Sequence, residues 1–223
     1  MPKIKVARKS TFIDMTAMCD VAFLLLTFFM LATKFKPDEP VVVRTPASTS
    51  TKQIPEGFIL ITIDKQGRVF YSVDNLNAKK EIINQINSDK NLGLTAAEMD
   101  NYVIGASVPV PFTQLKSYLA LRPADQEAYN KKDAVGMPTD TTANYETNEL
   151  AYWITTSRYY LDKGGRVAIK VDGTTEYPEL QKVISTLGKL KIFNFNFITD
   201  MKGIPPGTAL FEELKKSGGV QAQ

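Results

Sequence analysis

The chain contains no histidine, so it has no imidazole to titrate near neutral pH, hold a metal or serve in a catalytic triad. Its one cysteine, Cys19, forbids an internal disulfide. No Gly-rich phosphate loop, metal-ligand cluster or nucleophile–base spacing occurs either. An enzyme would have no residues to stand on, and no cofactor or metal is implied. A net charge of +3 over 223 residues is too mild for a nucleic-acid footprint. An apolar run of the ~20 residues that a bilayer core asks for is also missing. The strongest charge-free apolar stretch is Val21 to Thr33, thirteen residues, which as a helix covers only about 20 Å.

That stretch nevertheless organises the chain. Lys34, Lys36, Pro37, Asp38 and Glu39 end it on the C-terminal side, so a membrane-spanning helix must extend backward, giving a predicted span over residues 12–36. The extension draws Asp20 into the hydrocarbon and sets Asp14 near the inner interface, roughly 9 Å away along the axis. At 100° per residue, Thr16, Asp20 and Thr27 share one stripe, while Leu25 and Phe29 lie opposite. A carboxyl at that depth costs roughly 2.5–3.5 kcal/mol on insertion scales unless it meets a partner, water or a proton. Burial raises a carboxyl pKa, so Asp20 is a candidate to switch between neutral and charged as its helix meets water, with Thr16, Thr27 and Asp14 as a candidate path for the proton. Three other readings of the run stay open. One is a cleaved signal peptide, one a buried helix, and one an anchor whose Asp20 only packs. Lys3, Lys5, Arg8 and Lys9 precede the run without an acid, which places the N-terminus in the cytoplasm and the bulk of the chain outside.

The rest reads as an α+β domain on a linker. Residues 37–57 are rich in proline and hydroxyl side chains, with a β-prone Val41-Val42-Val43-Arg44 inside. Phe58 to Val73 predicts a hairpin turning at Asp64-Lys65-Gln66-Gly67. Asn77 to Ser88 predicts a helix on Ile82, Ile83 and Ile86, with its Lys and Glu side chains on a solvated face. Thr95 is a candidate cap for a helix to Tyr102. A further helix from Thr113 to Leu121 is expected to stop at Pro123, and Asp125 to Asn148 is polar. Asn148 to Lys163 is helical, ended by Gly164-Gly165, with Tyr159 and Tyr160 expected in core or interface. A strand over Arg166 to Val171, a turn at Asp172-Gly173, a helix from Tyr177 capped by Gly188, and a strand over Ile192 to Thr199 follow. The C-terminal residues carry Pro205, Pro206 and a short helix over Phe211–Leu214, with Ser217 to Gln223 expected to be disordered.

The opening Asp14-Met15-Thr16-Ala17-Met18-Cys19-Asp20-Val21, followed by Phe23-Leu24-Leu25-Leu26-Thr27-Phe28-Phe29-Met30, resembles the transmembrane helix of the ExbD/TolR family. Ala17 stands where that family usually has proline. The hairpin and the Ile169-Lys170-Val171-Asp172 strand with its helix also resemble the family's periplasmic domain. The resemblance implies a fold: a single N-terminal transmembrane helix, then a small periplasmic α/β domain with a hairpin and a strand–helix–strand unit. In that frame 1–11 is a cytoplasmic basic tail, 12–36 the span, 37–57 the linker, 58–203 the domain with an insertion at about 90–148, and 204–223 the tail. It also implies a role in an inner-membrane proton-driven motor powered by the proton motive force. Asp20 would be the proton carrier, in a homodimer within a pentameric ExbB/TolQ-like ring. The client would be a TonB- or TolA-like protein serving outer-membrane transport, and a short strand near 41–44 would pair between protomers. The alternative is a membrane-anchored periplasmic interaction or scaffold protein without proton conduction.

Overall fold

The computed structural model describes residues 15–32, 41–48, 57–139, 148–161 and 165–201. The chain divides into two units, Met1–Pro37 and Asp38–Gln223.

The first unit holds α1, Thr16–Ala32. Leucine, methionine and alanine favour helix, and only Asp20 and two threonines carry side chains that can compete with the backbone. Its 17 residues measure about 25 Å at the usual rise. No helix among the described residues is long and apolar enough to cross a membrane. The described residues therefore do not support the expected single span, and its expected bounds at 12 and 36 lie outside them. Asp14 and the flanking residues 12–13 and 33–36 lie outside the described residues.

The second unit is α+β around a four-stranded mixed sheet in the order β3-β2-β4-β5. Strands β2 (Phe58–Ile63) and β3 (Val69–Val73) form the predicted antiparallel hairpin, with Ile61 opposite Tyr71. Its turn is built by Asp64, which is almost fully buried. The Asp64 carboxylate accepts the Gln66 and Arg68 N–H groups at 3.0 and 2.9 Å and pairs with the Arg68 guanidinium at 2.6 Å. Gly67 takes φ +78°, and a Cβ there would come within 2.7 Å of Glu179 Cγ.

The predicted strand–helix–strand unit is present. Strand β4 (Arg166–Val171) runs parallel to β2 and to β5 (Phe195–Ile198), and the crossover from β4 to β5 contains α7 (Tyr177–Lys189). The expected cap at Gly188 is corrected. The helix runs to Lys189, and Lys191 takes the left-handed turn at φ 56°.

Because strand side chains alternate, Ile59, Ile61, Ile63, Val69, Tyr71, Val73, Val167 and Ile169 share one sheet face. They join a single core with residues of α2 (Leu76–Lys90), α6 (Glu149–Tyr160) and α7. Ile82, Ile83 and Ile86 are all buried there, as their spacing predicts, each worth roughly 1.5–3 kcal/mol. Trp153 of α6 lies in the centre, with ring centroids 5.0 Å from Tyr71 and 5.7 Å from Tyr102 and Phe112.

Residues 96–139 hold α3 (Ala96–Ile104), α4 (Phe112–Leu119) and α5 (Pro123–Lys132). Thr95 and Glu98 form a reciprocal capping box at the start of α3. Pro123 begins a helix instead of only stopping one, since proline is well placed at a first helical position. This region also covers the β3 edge of the sheet. Tyr71 and Val108 exchange backbone hydrogen bonds, and Met137 N–H donates to the Val69 carbonyl at 2.8 Å. An open edge would otherwise present unpaired backbone groups. Residues 140–147 lie outside the described residues.

Lys79 corrects the expectation of a solvated face on α2. It is buried, and its ammonium donates to the carbonyls of Val103 at 3.3 Å and Gly105 at 2.7 Å. These are acceptors at the C-terminal end of α3, where a cation is favoured. Burial pulls the Lys79 pKa down to about 8, partly opposed by Asp74.

Candidate functional site

The stripe predicted on α1 falls on one continuous helix. Asp20 lies about 6 Å along the axis from Thr16 and about 10 Å from Thr27, all within a narrow angular sector. Side chains on every side of α1 are exposed, up to 88% for Leu31. A helix apolar on all sides needs an apolar environment on all sides. No protein donor reaches the Asp20 carboxylate among the described residues. Thr27 is different: its hydroxyl donates to the Leu24 carbonyl at 2.9 Å, so its oxygen can only accept from anything beyond the helix. Cys19 is exposed on the same helix. Asp14 lies outside the described residues, so the fourth member of the candidate path is not placed.

The second unit meets the linker through a short strap. The strand near 41–44 that the resemblance implies would pair between two copies; within one chain residues 42–46 carry no strand, and β1 is Ala47–Ser48. It pairs in parallel with β6, Asp200–Met201, of the same chain. Within 41–46 a side chain does the holding. Arg44 N–H donates to Asp172 Oδ2 at 3.0 Å, and Gly173 N–H returns a bond to the Arg44 carbonyl at 2.9 Å. Thr174 fills Asp172 Oδ1 with its hydroxyl at 2.6 Å and its N–H at 3.0 Å. These bonds, the Thr174 hydroxyl foremost, hold the Asp172 carboxyl below the usual range. Val43 and Thr45 are buried alongside.

The sequence profile of the family described as biopolymer transport protein ExbD/TolR matches residues 7–202. The chain belongs to the ExbD/TolR family. The match runs through α1, the strap and the whole described sheet, including the helices at 96–132. Among curated proteins and among solved structures, none matches the chain.

As an ExbD/TolR protein, the chain keeps its acids in two distinct settings. Asp64 and Asp172 are built into turns at the C-terminal ends of the adjacent strands β2 and β4, where Asp172 N–H also donates to the Ile63 carbonyl at 3.0 Å. Asp20 stands by itself on an apolar rod. Among the described residues no group of acids or cysteine is arranged to hold a metal ion. The strap was not legible in the sequence, because the residue that holds it, Asp172, lies 128 positions away from Arg44.

Proposed function

We propose that the chain is a subunit of an inner-membrane proton-driven motor, in which Asp20 gains and loses a proton as α1 moves against partner helices. The observation that carries this reading is the single carboxylate on an all-round apolar helix, in a chain of the ExbD/TolR family. A carboxylate on such a helix is tolerated where neighbouring helices enclose it, here a pair of copies inside an ExbB/TolQ-like pentameric ring. The N-terminus would be cytoplasmic and the second unit periplasmic.

In the protonated state, Asp20 slides past apolar side chains. Ionised, it seeks a hydroxyl, a water or a cation on the ring. One charge moved across ~100 mV supplies about 2.3 kcal/mol. Repeated alternation biases rotation, and the strap carries the motion into the second unit and on to a TonB- or TolA-like client. The chain itself performs no covalent chemistry in this scheme.

The test is Asp20→Asn, close in shape but unable to ionise. The variant should co-purify with its membrane partners at the wild-type ratio and lose energised transport. Full transport by this variant contradicts the scheme. Replacing the helix with poly-leucine separates the scaffold alternative, which predicts that function survives.

A further inference from the structure

A groove of about 480 Å³ lies between α2 and α6. Its walls are Gln85 and Asp89 on one helix and Tyr152, Thr155, Tyr159 and Tyr160 on the other. The two helices are joined across it by a chain of hydrogen bonds. The Tyr160 hydroxyl donates to Gln85 Oε1 at 3.0 Å, Gln85 Nε2 donates to Asp89 Oδ1 at 2.8 Å, and the Tyr152 hydroxyl donates to Asp89 Oδ2. Thr155 spends its hydroxyl proton on the Ala151 carbonyl at 2.9 Å.

The direction of these bonds decides what the groove can take. The hydroxyl protons of Tyr160 and Thr155, both only partly buried, already point at protein acceptors, so towards an occupant their oxygens can only accept. The Asp89 carboxylate adds a full negative charge, held ionised by the Tyr152 and Gln85 bonds. Tyr159 is 83% exposed and packs edge-on against Tyr160 at 5.0 Å, offering ring surface to solvent. Aromatic faces carry negative electrostatic potential and attract cations, while carboxylates complete the site for ammonium or guanidinium. The protein already uses this chemistry nearby, where the Lys90 ammonium sits 4.4 Å from the Tyr152 ring centroid and 5.7 Å from that of Phe112.

We infer that the α2–α6 groove is a docking site for a lysine or arginine side chain of an extended, positively charged segment on a partner protein. The charge complementarity of acceptors, ring faces and carboxylate commits the site to a cationic occupant. The inference stands apart from proton carriage by Asp20 and survives its failure.

The test uses the full-length chain and a fluorescent acetyl-tetralysine amide, with tetraglutamate of equal length as control, read by anisotropy. Tetralysine should bind and tetraglutamate should not. Asp89→Asn should weaken tetralysine about tenfold, as loss of a charge-assisted contact does. Tyr159→Ala, at a position too exposed to matter for folding, should weaken it severalfold. Asp125→Asn, which removes an equal charge from α5, should leave it unchanged. Equal weakening by Asp125→Asn and Asp89→Asn would mean diffuse attraction and overturn the site. So would tetraglutamate or an uncharged glycan fragment binding as tightly as tetralysine. Loss of the signal in Asp89→Asn counts only if the Trp153 emission spectrum is unchanged. If it shifts, Tyr159→Ala alone decides, and wild-type affinity in that variant overturns the proposal.

Discussion

The carboxylates of the two units live under opposite rules. In Asp38–Gln223, Asp64 and Asp172 are each tied by several donors, and Asp89 and Glu98 by two and one. These acids fix turns, caps and helix pairs. Asp20 on α1 has no such tie among the described residues. A tied acid is part of the architecture and resists changing its charge. An untied acid on an apolar helix is at the disposal of whatever surrounds it. That contrast marks out Asp20 without any catalytic motif to point the way.

The contrast breaks most visibly at Asp20. Asp20→Asn should reduce energised transport to background, measured in cells, with no change in the thermal unfolding of the second unit. The reverse experiment is Trp153→Ala, in the centre of the second unit's core. It should cost that unit about 3–5 kcal/mol in denaturant unfolding. Leu25→Ala on α1, a truncation on the exposed helix, should leave the same transition within about 0.5 kcal/mol.

Much of the second unit was legible in residues 58–90 and 165–198. Apolar, β-rich runs in Phe58–Ile63 and Val69–Val73, with Gly67 between them free to take positive φ, point to a hairpin by local rules alone. Ile82, Ile83 and Ile86 mark the buried face of α2 for the same reason. What stayed hidden depended on distant partners. Lys79 looks like any helix-surface lysine until α3 delivers two carbonyls to it. Pro123 is ambiguous, since proline can follow a helix or open one. Tyr159, expected in core or interface, is exposed on its own chain, while Tyr160 is half-buried. Phe193, Phe195 and Phe197 alternate as a strand should, but the β5 strand is shorter than the alternation and leaves Phe193 exposed. Of the candidate site, Asp20, Thr16 and Thr27 could be placed on one stripe from spacing alone. The single-bonded state of the Thr27 hydroxyl needed coordinates. Residues 202–223, with the expected short helix, lie outside the described residues.

Lys79 sharpens the comparison through pH. Its folded-state value of about 8 lies below the ~10.4 of a free lysine, so between these values the unfolded chain binds more protons. Stability contributed by this group therefore rises with pH through that window. Relative to Lys79→Met, the wild type should gain about 2 kcal/mol between pH 7 and pH 9.5. Urea titrations of both proteins at the two pH values check it.

Asp172 should give the smallest effect, with stability again rising with pH but in the acid range. Its depressed carboxyl contributes stability above the unfolded value of ~3.9 and loses it as pH falls through the folded one. Asp172→Asn replaces one acceptor by a donor, so either Arg44 or Thr174 is left without its bond. The local cost should be about 1–2 kcal/mol, seen as faster amide exchange across residues 43–48 at neutral pH. The exchange of β2 and β4 should not change.

The most direct measurement is the protonation of Asp20 itself, by isotope-edited difference infrared spectroscopy of the membrane assembly labelled at aspartate. We expect one carboxylic-acid band that appears and disappears with the imposed proton gradient and is absent in Asp20→Asn. A band unaffected by the gradient, or retained in Asp20→Asn, would contradict proton carriage by this helix.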